Sequence, residues 1–340
     1  MSTQLVEVLI TQPFPDEAME QLRAVSPRLR FTVLPRSRAE DIPNEVWQRT
    51  EILYTDQVFP APEQAPNLRW LQVSYAGVEN LLDAPIMHKE GVVLTTLSGA
   101  NAPQMAEYIL TMLLALGHRL PLIASLQAKA EWPKDRWERL RPAELRGSTV
   151  GLVGYGSVAR ETARVLQPFN VTILASKRDV MHPQDSGYIP EGLGDPEGDL
   201  FDRLYPIEAL RSLVKECDFV VLTLPLTDDT RGIINAEVFA AMKPTAYLVD
   251  ASRGGVVDHA ALVTALQERR IAGAALDVFH QEPLPKDDPL WKLPNVIITP
   301  HIAGISARYK ERAAAMFAEN LRRYLAGSSL LNRINLEHGY

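Results

Sequence analysis

The stretch STVGLVGYGSVARETARVL (148–166) decides the fold. Its apolar start, TVGLV, reads as a buried strand, and its end, SVARETARVL, reads as a helix. Between them stand Gly154, Tyr155, Gly156, Ser157, Val158 and Ala159, the G-x-G-x-x-G/A pattern in its required setting. The first glycine permits a tight turn and the second lets the backbone approach a pyrophosphate. The small Ala159 allows the helix to pack close on the strand. Backbone N–H groups at the helix start, from Ser157 and Val158, then suit phosphate oxygens. An ordinary βα turn can carry the same pattern, so the flanking strand and helix are what point to a dinucleotide.

That reading predicts an acidic residue about 20 positions on, to hold the ribose hydroxyls. The position 20 after Gly156 is Ser176, followed by Lys177 and Arg178. A carboxylate there would repel a 2′-phosphate, whereas a hydroxyl and two cations suit one. NADP(H) is therefore the favoured cofactor, with NAD(H) the alternative. Two readings oppose this: Lys177 and Arg178 as solvated loop charges, and Asp179 folding back to the ribose.

Working outward, short β-rich runs alternate with helical stretches. VEVLIT, RFTVL, EILYT, LRWLQVS and VVLTT precede a long helix over 103–127, and VTILAS, DFVVLTLP, AYLVDAS, AGAALDVF and NVIITP follow the glycine motif. This alternation predicts an α/β chain of two doubly wound parallel sheets, Rossmann-like and flavodoxin-like, closed by a helix near 305–326. The segment 179–204 breaks the pattern: it is rich in Gly, Pro and acidic residues and far exceeds the usual two to six residues of such connections. It reads as a surface excursion or subunit contact, or as a flap beside the adenosine end of the cofactor.

Composition narrows the partners. The 340 residues suffice for roughly two domains, and 46% hydrophobic with 23% charged residues is ordinary for a globular chain. A net charge of −7 with no Lys/Arg block argues against nucleic acid and anionic membrane surfaces. Cys217 is the sole cysteine, which excludes an intrachain disulfide and fits a reducing compartment. The N-terminus MSTQLVEVLITQPFP does not read as a signal peptide, so a cytoplasmic protein is expected.

Three further motifs carry chemistry. LVDASRGGVVD (248–258) ends a strand in Arg253, LDVFHQEP (276–283) ends the next in Glu282, and TPHIAG (299–304) ends the last in His301. Ligands of open α/β sheets bind beyond the carboxyl ends of strands, so the three side chains can converge there. Arg253 offers permanently charged, forked hydrogen bonds to a carboxylate and ketone. His301 suits acid/base work near neutrality, and Glu282 on its other ring nitrogen would fix the tautomer and favour the protonated ring. No metal is called for. Singly, each residue has a plain structural reading; their order and flanks select the chemical one.

The whole pattern resembles the D-isomer-specific 2-hydroxyacid dehydrogenase family over almost the entire chain. SYAGVENL (74–81), NAPQMAEYIL (101–110), ELRGSTVGLVGYG (144–156), LPLTDDTRGIIN (224–235) and MKPTAYLVDASRG (242–254) stand where that family has comparable segments. The resemblance implies a substrate-binding domain from 1–102 and 302–340, an inserted dinucleotide-binding domain at 103–301, a cleft between them that closes about 99–103 and 299–304, and a homodimer. It implies that the backbone at Tyr75, Ala76 and Gly77 holds the substrate carboxylate and that Asp277 meets the nicotinamide carboxamide. Further cofactor contacts are implied at Met105, Leu224, Pro225, Thr230, Ala251, Ser252, Arg253, His301 and Gly304. The activity implied is hydride transfer between NAD(P)H and a small D-2-hydroxy acid, of glyoxylate/hydroxypyruvate type. Formate dehydrogenases carry glutamine where Glu282 stands. Phosphoglycerate dehydrogenase-like activity is one alternative, made less expected by an end at Tyr340 without a regulatory domain. A dinucleotide-sensing scaffold is the other.

Overall fold

The computed structural model describes residues 5–36, 38–78 and 84–335. Residues 1–4 of the N-terminal stretch and Glu79, Asn80 and Leu81 of SYAGVENL lie outside the described residues.

The chain divides into two compact units. One comprises Met1–Asn101, Ser186–Tyr188 and Ser306–Tyr340, and the other Ala102–Asp185 and Ile189–Ile305. The return to the first unit falls a few residues later than the expected 301/302 boundary. The assignment of Ser186–Tyr188 to the first unit has no warning in the sequence; there the Tyr188 N–H donates to Asn332 Oδ1 at 3.0 Å.

In the first unit, β1 (Val6–Ile10), β2 (Leu29–Val33), β3 (Ile52–Thr55), β4 (Trp70–Val73) and β5 (Val93–Thr95) form a sheet ordered β2-β1-β3-β4-β5. In the second, β6 (Thr149–Val153), β7 (Thr172–Lys177), β8 (Arg203–Pro206), β9 (Phe219–Leu222), β10 (Tyr247–Asp250), β11 (Gly273–Leu276) and β12 (Val296–Ile298) are ordered β12-β11-β10-β9-β6-β7-β8. All these pairings are parallel. The strands are short apolar runs because both faces are covered. In β9, Phe219 and Val221 enter one apolar cluster and Val220 and Leu222 the other. In β1, Val8 and Ile10 likewise face away from Leu9. Burial of each such side chain stabilises by about 1.5–3 kcal/mol.

Two expectations change. The long helix over 103–127 is two helices, Ala102–Gly117 and Leu120–Ala128, bent by 65°. Pro121 cannot donate to the Gly117 carbonyl, which instead accepts from the Ala143 N–H at 2.9 Å. No single described helix is long and apolar enough to cross a membrane. The excursion also ends earlier than expected, because RLYP (203–206) forms edge strand β8. Only Tyr205 of its four residues is buried, which leaves no apolar period to read.

Candidate active site

The order of the larger sheet reverses between β6 and β9, and the glycine turn follows β6 at that switch point. Gly154 has φ +95°, and a Cβ there would lie 2.9 Å from the Leu224 side chain. Glycine is thus required both by the backbone and by the close approach of the 224–230 loop. Among the described residues, chain neighbours aside, a Cβ on Gly156 would meet no atom within 4 Å, and the helix Ser157–Leu166 begins with no capping side-chain hydrogen bond. Half-buried Ser157 and Val158 open that helix. Uncapped amides at the start of a ten-residue helix, beneath an unobstructed glycine, fit a pyrophosphate.

The other cofactor candidates distribute unevenly. Leu224 is buried and Pro225 half-buried just past β9. The Thr230 hydroxyl is occupied in shaping that loop, donating to the Pro225 carbonyl at 2.7 Å and accepting from the Thr227 N–H at 2.8 Å. Met105, Ala251 and Ser252 are buried, and Gly304 is half-buried. The Tyr155 ring is buried as well, leaving its backbone as the part near the turn.

At the end of β7 the arrangement differs from expectation. Ser176 is fully buried, and its Oγ accepts from the Gly154 N–H at 3.3 Å, so it braces the turn from beneath. The outward position is Lys177, with Arg178 next to it. Lys177 Nζ donates to the His182 carbonyl at 2.5 Å and the Gln184 carbonyl at 3.3 Å. Burial, and then the charge of Arg160, hold this ammonium below its ordinary pKa. Arg178 pairs with Asp229 at 3.4 Å. Asp179 turns onto the Met181 N–H at 3.0 Å and His182 Nδ1 at 2.7 Å, away from the role of a ribose acid.

Arg253, Glu282 and His301 lie just past the carboxyl ends of β10, β11 and β12, which are neighbours in the sheet. His301 Nδ1 is 2.7 Å from Glu282 Oε2, while Glu282 Oε1 accepts from the Phe279 N–H at 3.0 Å. An ionised carboxylate only accepts, so Nδ1 carries a proton and Nε2 is left for chemistry. Arg253 is half-buried, with Nη1 donating to the Ser252 carbonyl at 2.9 Å. A Cβ on Gly254 would fall 1.8 Å from the Phe279 carbonyl oxygen, so only glycine lets the arginine loop lie against the glutamate loop.

Asp277 sets the pose of His301. Its Oδ1 accepts from Thr299 Oγ1 at 2.6 Å and the Ile302 N–H at 2.9 Å, its Oδ2 from the Ala303 N–H at 2.8 Å, and its carbonyl from the His301 N–H at 2.9 Å. These bonds hold His301 at φ +54°, a left-handed conformation that costs a non-glycine residue on the order of 1 kcal/mol. Tyr108 extends the set through a 2.8 Å bond to Thr299 Oγ1. Asp250 lies on the neighbouring strand, accepting from the Ser252 N–H at 3.0 Å and Oγ at 2.5 Å. Burial, reinforced by the charge of Asp277, pushes its carboxyl up to about 7. Sequence reasoning missed Tyr108, Thr299 and Asp250 in this network. Only Asp250, a charge closing an apolar strand, left a visible signal.

In the first unit Tyr75, Ala76 and Gly77 are half-buried just past β4. The Tyr75 hydroxyl donates to the Asp56 carbonyl at 2.6 Å, and its carbonyl accepts from the Leu97 N–H at 3.0 Å.

A doubly wound sheet with an uncapped glycine turn at its switch point, and an Arg/Glu/His set at the adjoining strand ends, defines a nucleotide-dependent oxidoreductase acting at an alcohol or carbonyl carbon. Residues 110–303 match the family model of the D-isomer specific 2-hydroxyacid dehydrogenase NAD binding domain. A glyoxylate reductase of Thermofilum pendens is 36% identical over 84% of this chain and 80% of its own length. A D-3-phosphoglycerate dehydrogenase of Methanocaldococcus jannaschii is 29% identical over 98% of this chain, which spans 60% of that relative. A D-isomer specific 2-hydroxyacid dehydrogenase of Xanthobacter autotrophicus, solved with NADPH and MES, superposes with a TM-score of 0.78 at 28% identity, covering 99% of this chain and all of that one. The chain belongs to the D-isomer specific 2-hydroxyacid dehydrogenase family and is an NAD(P)-dependent oxidoreductase.

Proposed function

We propose that the protein reduces a small 2-keto acid of the glyoxylate/hydroxypyruvate type to the D-2-hydroxy acid, using NADPH in preference to NADH. The observation that carries the reaction is the 2.7 Å pairing of His301 Nδ1 with Glu282, beside Arg253 at adjoining strand ends. The bound nicotinamide supplies the hydride. Arg253 binds carboxylate and ketone oxygens and stabilises charge as the alkoxide develops. His301 Nε2 delivers the proton to that oxygen, and Glu282 stabilises the imidazolium before transfer and keeps the ring oriented. The backbone at Tyr75–Gly77 takes the substrate carboxylate as well. Met105, Gly154–Val158, Leu224, Pro225, Thr230, Ala251, Ser252, Asp277 and Gly304 line the cofactor, with Asp277 serving chiefly to fix the His301 turn.

The substrate class is supported by the glyoxylate reductase relative, and the NADPH preference by the Xanthobacter structure and by two cations where an acid would select NADH. The two units are read as a substrate-binding domain and a dinucleotide-binding domain. A cytoplasmic homodimer completes the proposal: the lone cysteine is buried and free, and Leu120, Ile123, Trp132 and Trp137 expose apolar surface on one stretch of the second unit. Steady-state turnover of glyoxylate, hydroxypyruvate, phosphohydroxypyruvate and larger 2-keto acids, each with NADPH and NADH, tests this reading. Highest kcat/KM on phosphohydroxypyruvate, or with NADH, would reject the corresponding half.

A further inference from the structure

The segment 178–202 that joins β7 to β8 is fastened to the helix carrying the glycine motif by two buried ions. Arg160 is 1% exposed. Its Nη1 donates to the Asp195 carbonyl at 2.6 Å, its Nη2 to the Pro183 carbonyl, and its Nε lies 3.5 Å from Asp185. The guanidinium also covers the Tyr155 ring at 4.9 Å. Asp195, 2% exposed, accepts from Tyr155 Oη at 2.6 Å and from the N–H groups of Gly198, Asp199 and Leu200 at 3.0–3.2 Å. Next to Arg160, Glu161 accepts from the Gly194 N–H at 2.7 Å.

Three successive carbonyls then meet two cations alternately. Pro183 accepts from Arg160, and its neighbours His182 and Gln184 both accept from Lys177. An ammonium has three N–H donors, and these two carbonyls engage two of them. A free lysine stem would lose considerable rotamer freedom on meeting an anion; this one has already lost it.

We propose that Arg160 and Asp195, through the 178–202 segment, are positioning residues that hold the Lys177 ammonium ready for the 2′-phosphate of the cofactor. The inference rests on the NADPH reading above and adds to it a determinant that does not touch the phosphate. The segment, on this account, substitutes for a flexible lysine's search with a fixed donor.

Direct binding of 2′,5′-ADP and of 5′-AMP, by titration calorimetry on the full chain, tests it. Arg160→Lys keeps the charge but cannot reach both carbonyls as a fork. Asp195→Asn removes a negative charge, so simple electrostatics predicts tighter 2′,5′-ADP binding. Positioning predicts the opposite: each variant weakens 2′,5′-ADP about five- to twentyfold and leaves 5′-AMP unchanged. Retention of the full 2′-phosphate advantage by either folded variant, or tighter binding by Asp195→Asn, overturns the inference while the NADPH reading stands. A wild-type chain that binds both probes equally overturns both. Melting temperature identifies a variant that has lost its fold, and the other variant then decides.

Discussion

Two buried aspartates of the second unit have their carboxyls shifted in opposite directions, for reasons that can be counted. Asp250, behind the Arg253 loop, is 3% exposed and receives its two hydrogen bonds from Ser252, with Asp277 as a like-charged neighbour. Its carboxyl is pushed up to about 7. Asp195 is buried to the same degree, and burial raises its pKa too. That effect is outweighed by the Tyr155 hydroxyl, backbone amides and the Arg160 charge, which hold it below the ordinary value. Burial alone therefore does not decide whether an acid is charged; the number of donors and the sign of the nearest charge do. The consequence differs between the two places. Around Arg253, Glu282 and His301, a network of acids and hydroxyls poises backbone around groups that remain partly exposed. Around Lys177, a buried ion fastens a loop whose carbonyls hold the lysine.

The contrast can be broken experimentally, beginning with its largest effect. His301→Ala removes the proposed proton donor and leaves the glycine turn untouched, and kcat is expected to fall about 10²- to 10⁴-fold while cofactor affinity holds. Stopped-flow reduction with parallel fluorescence titration checks both halves; a loss of less than tenfold would remove His301 from the chemistry. At the other place, Lys177→Asp replaces the pinned cation with the ribose acid that the sequence lacks. The NADPH/NADH ratio of kcat/KM is expected to drop about 30- to 1,000-fold. The substitution belongs at Lys177, since Ser176 is buried beneath the turn.

Smaller effects sharpen the comparison. Glu282→Gln keeps a hydrogen-bonding side chain but loses the charge facing His301, and kcat for reduction is expected to fall about 10- to 100-fold with little change in KM. An unchanged kcat would mean that the 2.7 Å pairing only orients the ring. Asp250→Asn acts on stability. A carboxyl raised to about 7 when folded holds a proton that the unfolded chain releases near 4, so its contribution is present at low pH and is lost as pH rises through about 7. Urea midpoints of the wild type should decline between pH 5 and pH 8, by about 2–3 kcal/mol in unfolding free energy. Those of Asp250→Asn should change less over the same range. Parallel slopes in the two proteins would show that Asp250 is not the group responsible.

Much of this chain was legible before any coordinates. The apolar runs of β6, β9, β10 and β11 declare buried parallel strands because both faces are covered. The glycine pattern declares its turn because two of its positions are dictated by backbone geometry and close approach. Arg253, Glu282 and His301 could be placed because each follows a strand end, and parallel strands deliver their carboxyl ends to one edge. The helix break at Gly117–Pro121 was readable from Pro121 alone, yet the apolar period over 103–127 concealed it.

What only tertiary structure decided are the contacts between residues far apart in the chain. Side-chain period does not tell whether Ser176 faces the ribose or the underside of the turn, since a strand buried on both faces has no polar side. Nor does composition reveal that Arg160 joins a segment more than 20 residues downstream, or that Asp277 holds the turn after β12. Hydrogen bonds are directional and saturable, so a polar residue's role is fixed by which donors and acceptors folding brings within about 3 Å. Apolar burial follows a local period that the sequence spells out; polar pairing depends on partners that the fold must first assemble.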